Sequence, residues 1–256
     1  MDGLKQRKKE ILRIFGLCSD ILNQARGFEE ITYKMVLIAM NGAVNAAKFK
    51  SKDGATLIVL ANHLSDIPVQ IDPVFKRLQE QCHELSRNMT LCMVAVHRYM
   101  LIERCLQRSL GLDSAAEASG GASGSLGMVG LDEQVNKKIA SGELSEPILS
   151  NSAFLLERIH QNITLISGAL VSARDLIQNS KNSMSHILRF NILTRYTATC
   201  IDIQASHIKM GSDRFSHLVE NVLQLVEQLD VRHEHLAESL LVTERQLRLV
   251  EKGGFA

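Results

Sequence analysis

The sequence predicts an all-α protein, an elongated antiparallel four-helix coiled-coil bundle made of two long helical hairpins. Three observations predict it. Apolar residues recur at alternating three- and four-residue steps through most of the 256 residues, the period of one helix face. Two short polar segments, near 50–54 and near 209–213, interrupt that period as helix reversals would. The composition, with 4% aromatics, no Trp and three Pro, favours long helices over sheets.

Residues 1–110 read as the first hairpin. Its outgoing helix is expected from about Leu4 to Phe49, with a seam through Ile11, Ile14, Cys18, Ile21, Ala25, Phe28, Met35, Ala39, Gly42 and Ala46, in which only Arg7 and Thr32 are polar. Gly27 is a weak point in it, costing roughly 1 kcal/mol against Ala. The small residues Ala39, Gly42, Ala43, Ala46 and Ala47 would let another helix approach closely. The polar turn Lys50-Ser51-Lys52-Asp53-Gly54 reverses the chain. A returning seam then runs from Leu57 through Leu64, Ile71, Leu78, Leu85 and Cys92 to Tyr99. Pro68 and Pro73 remove backbone donors, and Asp72-Pro73 reads as an N-cap followed by Pro at N1. A kink or short break is therefore expected between Ser65 and Asp72.

Residues 111–144 read as a flexible linker, Gly- and Ser-rich up to about Gly130, with a short helix expected over Leu131 to Ala140. Residues 145–256 read as the second hairpin. Its first helix starts near Ser145-Glu146-Pro147, and its seam from Leu156 to Ile208 has only Ser180, Asn191 and Thr194 as polar members. The reversal near 209–213 leads into a last seam from Phe215 to Val250, with His233 on it. The plan of long helix, tight turn, long helix thus occurs twice, as a degenerate internal repeat. Four such stripes bury one another within one chain, so the chain is read as a monomer with an intramolecular bundle, or as a homodimer if the hairpins separate.

A net charge of +1 gives no electrostatic case for nucleic acid or anionic lipid. Five scattered cysteines without a CxxC point to reduced thiols in a cytosolic protein. The charged start MDGLKQRKKEIL is unlike a signal peptide. The longest apolar runs, Met35 to Met40 and Ala55 to Ala61, fall well short of the roughly 20 residues of a membrane span.

The stretch Met40-Asn41-Gly42-Ala43-Val44-Asn45-Ala46-Ala47-Lys48, followed after Gly54 by Leu57-Ile58-Val59-Leu60-Ala61, resembles the signalling tip of methyl-accepting chemotaxis receptors. There a helix ending Leu-Asn-Ala-Ala-Ile-Glu-Ala-Ala-Arg turns tightly and returns through a Gly-rich segment into Phe-Ala-Val-Val-Ala. The likeness covers Met35 to Leu64. Asn45 stands where the family has glutamate, Lys48-Phe49-Lys50-Ser51 replaces its Arg-x-Gly-Glu, and the turn is one residue longer. The resemblance implies a protein that presents its tip to a histidine kinase or coupling protein of a chemotaxis-type system. It places the partner contacts at Asn41, Asn45, Lys48, Lys50, Lys52 and Asp53. Read without the resemblance, the same residues are a solvated turn.

Other motifs are blander. His233-x-His235 sets two imidazoles about 200° apart around a helix, and Cys82-His83 diverges likewise, so no metal site is expected. No nucleophile elbow, phosphate loop or dinucleotide fingerprint occurs, and the chain is read as a non-enzyme without cofactor. Glu29-Glu30, beside Ala25, Gly27 and Thr32, partly matches the paired acids of receptor adaptation sites. A solvated helix face is the simpler reading. The alternative to a signalling protein is a structural coiled-coil scaffold or oligomerisation module with no control of a kinase.

Overall fold

A computed structural model of the protein describes residues 2–48, 52–109, 137, 140–141, 146–207 and 212–252. Four long helices account for nearly all of them: α1 (Asp2–Ala46), α2 (Lys52–Ser109), α3 (Glu146–Ser206) and α4 (Ser212–Lys252). No strand occurs among the described residues, so the protein is an all-α helical bundle. The linker at 111–144 lies outside them except around 137–141, where Ser141 N–H donates to the Lys137 carbonyl at 3.0 Å and closes a helical turn.

The helices are organised into two compact units. One comprises Ser19–Glu84 and Leu176–Leu241, the other Met1–Cys18, Leu85–Asp175 and Val242–Ala256. Each unit therefore contains a segment from every helix.

Burial follows the sequence period closely. Along α1, every seam position from Ile11 to Ala46 is buried, including Gly42 and the polar Thr32. The same holds along α2 from Leu57 to Tyr99. In α3 and α4 only Leu156, Ile163 and His233 are partly open among the described seam positions. In the Ser19–Glu84 unit, Phe28 of α1 stacks on Phe75 of α2, with ring centroids 5.0 Å apart and 17° between planes. Such a pair adds about 0.5–1.5 kcal/mol beyond its buried area.

Of the kink or short break expected at the prolines, the break does not occur. Helix α2 runs through Pro68 and Pro73 without interruption. Asp72, expected as an N-cap, is an interior helical residue whose carboxylate pairs with Lys76 at 2.7 Å, one turn on. The physical reason is the seam itself. Each proline costs roughly 3 kcal/mol in a helix interior, but Leu64, Ile67, Ile71 and Phe75 around them are all buried, each stabilising by about 1.5–3 kcal/mol. Breaking the helix here would expose them.

Gly27 and Gly42 serve helix contact. A Cβ on Gly27 would collide with the Arg232 guanidinium of α4, which lies across the α1 backbone at that point. A Cβ on Gly42 would come within 2.5 Å of a Leu218 methyl. The small-residue stretch of α1 thus admits α4, and Gly27, read as a weak point, is a notch for an arginine.

Polar groups tie particular turns together. Asn191 Nδ2 of α3 donates to Asp230 Oδ1 of α4 at 2.6 Å, and Arg195 Nη2 donates to Asp230 Oδ2 at 2.6 Å. His233 Nε2–H donates to the Met184 carbonyl at 3.2 Å. Between α2 and α3, Ser183 Oγ lies 3.2 Å from Gln81 Oε1 in one unit, and Asn88 Nδ2 donates to Ser172 Oγ at 2.8 Å in the other.

Candidate partner-binding surface

The surface singled out by the sequence lies where α1 ends. Beyond Ala46 the helix closes in a short turn: Ala47 N–H reaches the Ala43 carbonyl at 3.0 Å, and Lys48 N–H reaches the Asn45 carbonyl at 3.2 Å. The second bond spans three residues and tightens the last turn, a common way to satisfy terminal carbonyls. Lys48 Nζ also donates to Asn45 Oδ1 at 3.2 Å. Asn45 and Lys48 therefore form one polar group. Asn41 stands one turn back, exposed like Lys48, with Asn45 half-buried between them.

The remaining members are placed less fully. Lys50 lies outside the described residues. Lys52 and Asp53 open α2. Gly54, expected to end the reversal, is already helical in the first turn of α2. The second reversal, expected at 209–213, lies outside the described residues up to Gly211. Ser212 and Asp213 begin α4.

One feature of this end lies off the core-facing seam of α1. Tyr33, Leu37, Met40 and Val44 are 64%, 44%, 55% and 61% exposed. They follow the same four-three-four spacing as Met35, Ala39, Gly42 and Ala46, displaced by two residues, or about 200° around the helix. α1 thus carries a second apolar stripe facing away from the core. From Met35 to Ala47 there is no charged residue at all, and that is the signal that could have disclosed the stripe.

Next to it, α1 and α2 form a groove of about 630 Å³ lined by Arg26, Glu29, Glu30, Tyr33, Pro68 and Asp72, among others. The acids Glu29 and Glu30 are exposed on its rim. Lys34 lies 2.6 Å from Glu30 Oε1, and its hydrogen bond and charge hold the Glu30 carboxyl below its ordinary range. The hydrogen bond and charge of Asp72 likewise raise the Lys76 ammonium above its own.

The histidine and cysteine motifs do not converge. Cys82 is buried while His83 is exposed, and His233 is half-buried while His235 is exposed. Among the described residues no group of three or more His, Cys, Asp or Glu is arranged to hold a metal ion. None of the five cysteines is in a disulfide. Burial pushes the thiols of Cys82 and Cys92 up to about 12, which leaves them inert as nucleophiles at neutral pH. No described helix is long and apolar enough to cross a membrane. Comparison with family models, curated proteins and solved structures finds no match to this chain.

Proposed function

We propose that the chain is a cytosolic, chemoreceptor-like signal-transduction protein that presents the α1–α2 reversal to a chemotaxis-type histidine kinase or its coupling protein. The observation that carries this reading is the end of α1. A charge-free helical stretch closes in a tight turn, with Asn41 and the Asn45–Lys48 pair at the surface and exposed Met40 and Val44 beside them on α1. Exposed apolar residues rimmed by polar ones suit docking of another protein. The residues also match the receptor motif in kind over Met40 to Lys48.

We further read the bundle as two antiparallel hairpins from one chain. In the Ser19–Glu84 unit, Gly27 faces Arg232 and Gly42 faces Leu218, so α4 descends as α1 ascends. Met184 pairs with His233 and Asn191 with Asp230, the same relation for α3 and α4. On this reading an input reaches the tip as a change in how packed helices sit against one another, within the small sliding that packed helices allow.

The test is binding of the full chain to a purified chemotaxis-type kinase and coupling protein. Saturable binding at micromolar concentration, weakened by Asn41→Arg or Lys48→Glu, is expected. No binding to either protein at roughly 100 μM would reject the kinase reading and favour a structural scaffold. The scaffold reading draws on the polar cross-ties of α3, which fix helix register whatever binds at the tip.

A further inference from the structure

We propose that α1 pairs with the α1 of a second copy of this chain, antiparallel, about a twofold axis passing between Ile38 and Ala39. The outward stripe Tyr33, Leu37, Met40 and Val44 is spaced four, three, four, and this order reads the same in both directions. Turning a second copy about that axis sets Tyr33 against Val44 and Leu37 against Met40, two apolar layers on each side of the centre. Such a contact is isologous, so it closes at two copies.

Charge supports the same partner and orientation. The stripe has no charge between Met35 and Ala47, so no charge is desolvated at its centre. At its ends the axis brings exposed Glu29 of one copy opposite exposed Lys48 of the other. A parallel pairing would set each of these against itself, at a cost. The stripe of α3 behaves differently. Leu188, Ile192 and Tyr196 are also exposed, but turning them about their own centre sets Arg189 against Arg195, like charge on like. Four half-exposed apolar side chains from each copy, with their neighbours, remove on the order of 1,000 Å² in total, the low end for specific association. A reversible dimer is therefore expected. It needs no kinase, and because Met40 and Val44 also belong to the surface proposed for the kinase, the two partners would compete there.

Sedimentation equilibrium of the full chain over roughly 1–100 μM should show monomer and dimer in exchange. Met40→Glu should retain the helical circular dichroism and weaken dimerisation about tenfold or more. A monomer throughout, or a dimer that Met40→Glu leaves unchanged, overturns the proposal. Orientation is read by cross-linking with Cys105 and Cys200 replaced by Ser. A mixture of Tyr33→Cys and Val44→Cys chains should form an intermolecular disulfide, whereas either variant alone should not. In the proposed pair, position 33 lies about 16 Å along the axis from its own copy, beyond disulfide reach. Self-cross-linking without the mixed product overturns the antiparallel pairing. A stripe protected from solvent only when the kinase is added assigns it to that partner and overturns the proposal too.

Discussion

Helices α1 and α3 share a period and bury it comparably, but they fill it with different chemistry. Among the described side chains, the buried face of α1 is apolar apart from Thr32, whose hydroxyl donates to the Phe28 carbonyl at 2.9 Å within its own helix. The buried residues of α3 include Ser152, Asn162, Ser180, Ser183, Asn191, Thr194 and Thr197. Some of these turn back on α3: Asn162 donates to the Arg158 carbonyl and Thr194 to the Phe190 carbonyl. Others reach across, Ser183 towards Gln81 and Asn191 to Asp230. An apolar seam contributes more free energy, but dispersion and area burial are indifferent to a slip of one layer. A hydrogen bond is not. The comparison suggests a division of labour, with α1 supplying stability and α3 register.

The largest effect should come from the apolar side. Phe28 is fully buried and stacked on Phe75. Phe28→Ala should destabilise the chain by about 3–5 kcal/mol, measured by urea unfolding. A loss near 1 kcal/mol would mean that the aromatic pair does not anchor α1, and the comparison would fail at its stronger half.

The polar side should give a smaller and more selective effect. Asp230→Ala removes the acceptor for buried Asn191 and should cost about 1–3 kcal/mol. Arg195→Ala removes a half-exposed pair to the same carboxylate and should cost less than about 1 kcal/mol. A double-mutant cycle between Asn191 and Asp230 isolates their coupling. If Arg195→Ala proves the costlier change, the tie is held by charge at the surface and not by the buried amide.

These residues also mark where the sequence was legible. The seams were, because a helix that buries one face must repeat its apolar residues at that face's period, and Ile11 to Ala46 and Leu57 to Tyr99 do so. Continuity through Pro68 was not. The local rule for proline is strong, and only the burial of Leu64, Ile67, Ile71 and Phe75 together outweighs it. Asn191 was visible as a polar seam member, but Asp230 is off the seam and no period points to it. At the candidate surface, Asn41, Asn45 and Lys48 were placed by motif resemblance. The stripe from Tyr33 to Val44 shares its period with the core face, so periodicity alone does not set it apart. Gly27 reads as a defect in the sequence, because the Arg232 that occupies its notch belongs to a distant segment.

A third prediction uses pH to compare the α2 thiols with those of the unfolded chain. Burial raises Cys82 and Cys92 to about 12, whereas an unfolded thiol ionises near about 8.5. The fold therefore holds protons that the unfolded chain releases. The stability involved is fully present below about pH 8.5 and is lost as pH rises towards 12, by at most about 1.4 kcal/mol per pH unit per thiol. Urea midpoints should be level from neutral pH to about pH 8 and fall beyond it. Alkylation of the folded protein should reach exposed Cys105 well before Cys82 or Cys92. Equal rates at all three would mean that the α2 seam opens readily.

The smallest expected effect separates satisfied from unsatisfied hydroxyls on α3. Ser180 and Ser183 are both buried and one turn apart. Ser183 Oγ has two oxygens within 3.2 Å, Gln81 Oε1 and the Asn179 carbonyl. Ser180 Oγ makes no hydrogen bond of ordinary geometry. The polar group it approaches is the Cys82 thiol, where the contact acts against the larger effect of burial on that thiol, and sulfur is a weak partner. Ser180→Ala removes a hydroxyl buried at a cost, adds helix propensity and leaves a void of only one oxygen. It should be neutral or stabilise by about 0.5–1 kcal/mol. Ser183→Ala should instead cost about 0.5–1.5 kcal/mol, because a made bond is lost. If both cost alike, the Cys82 thiol satisfies Ser180 after all, and α3 has one more cross-tie to α2. If neither matters, the hydroxyls of α3 add nothing to register, and that role rests on Asn191 and His233.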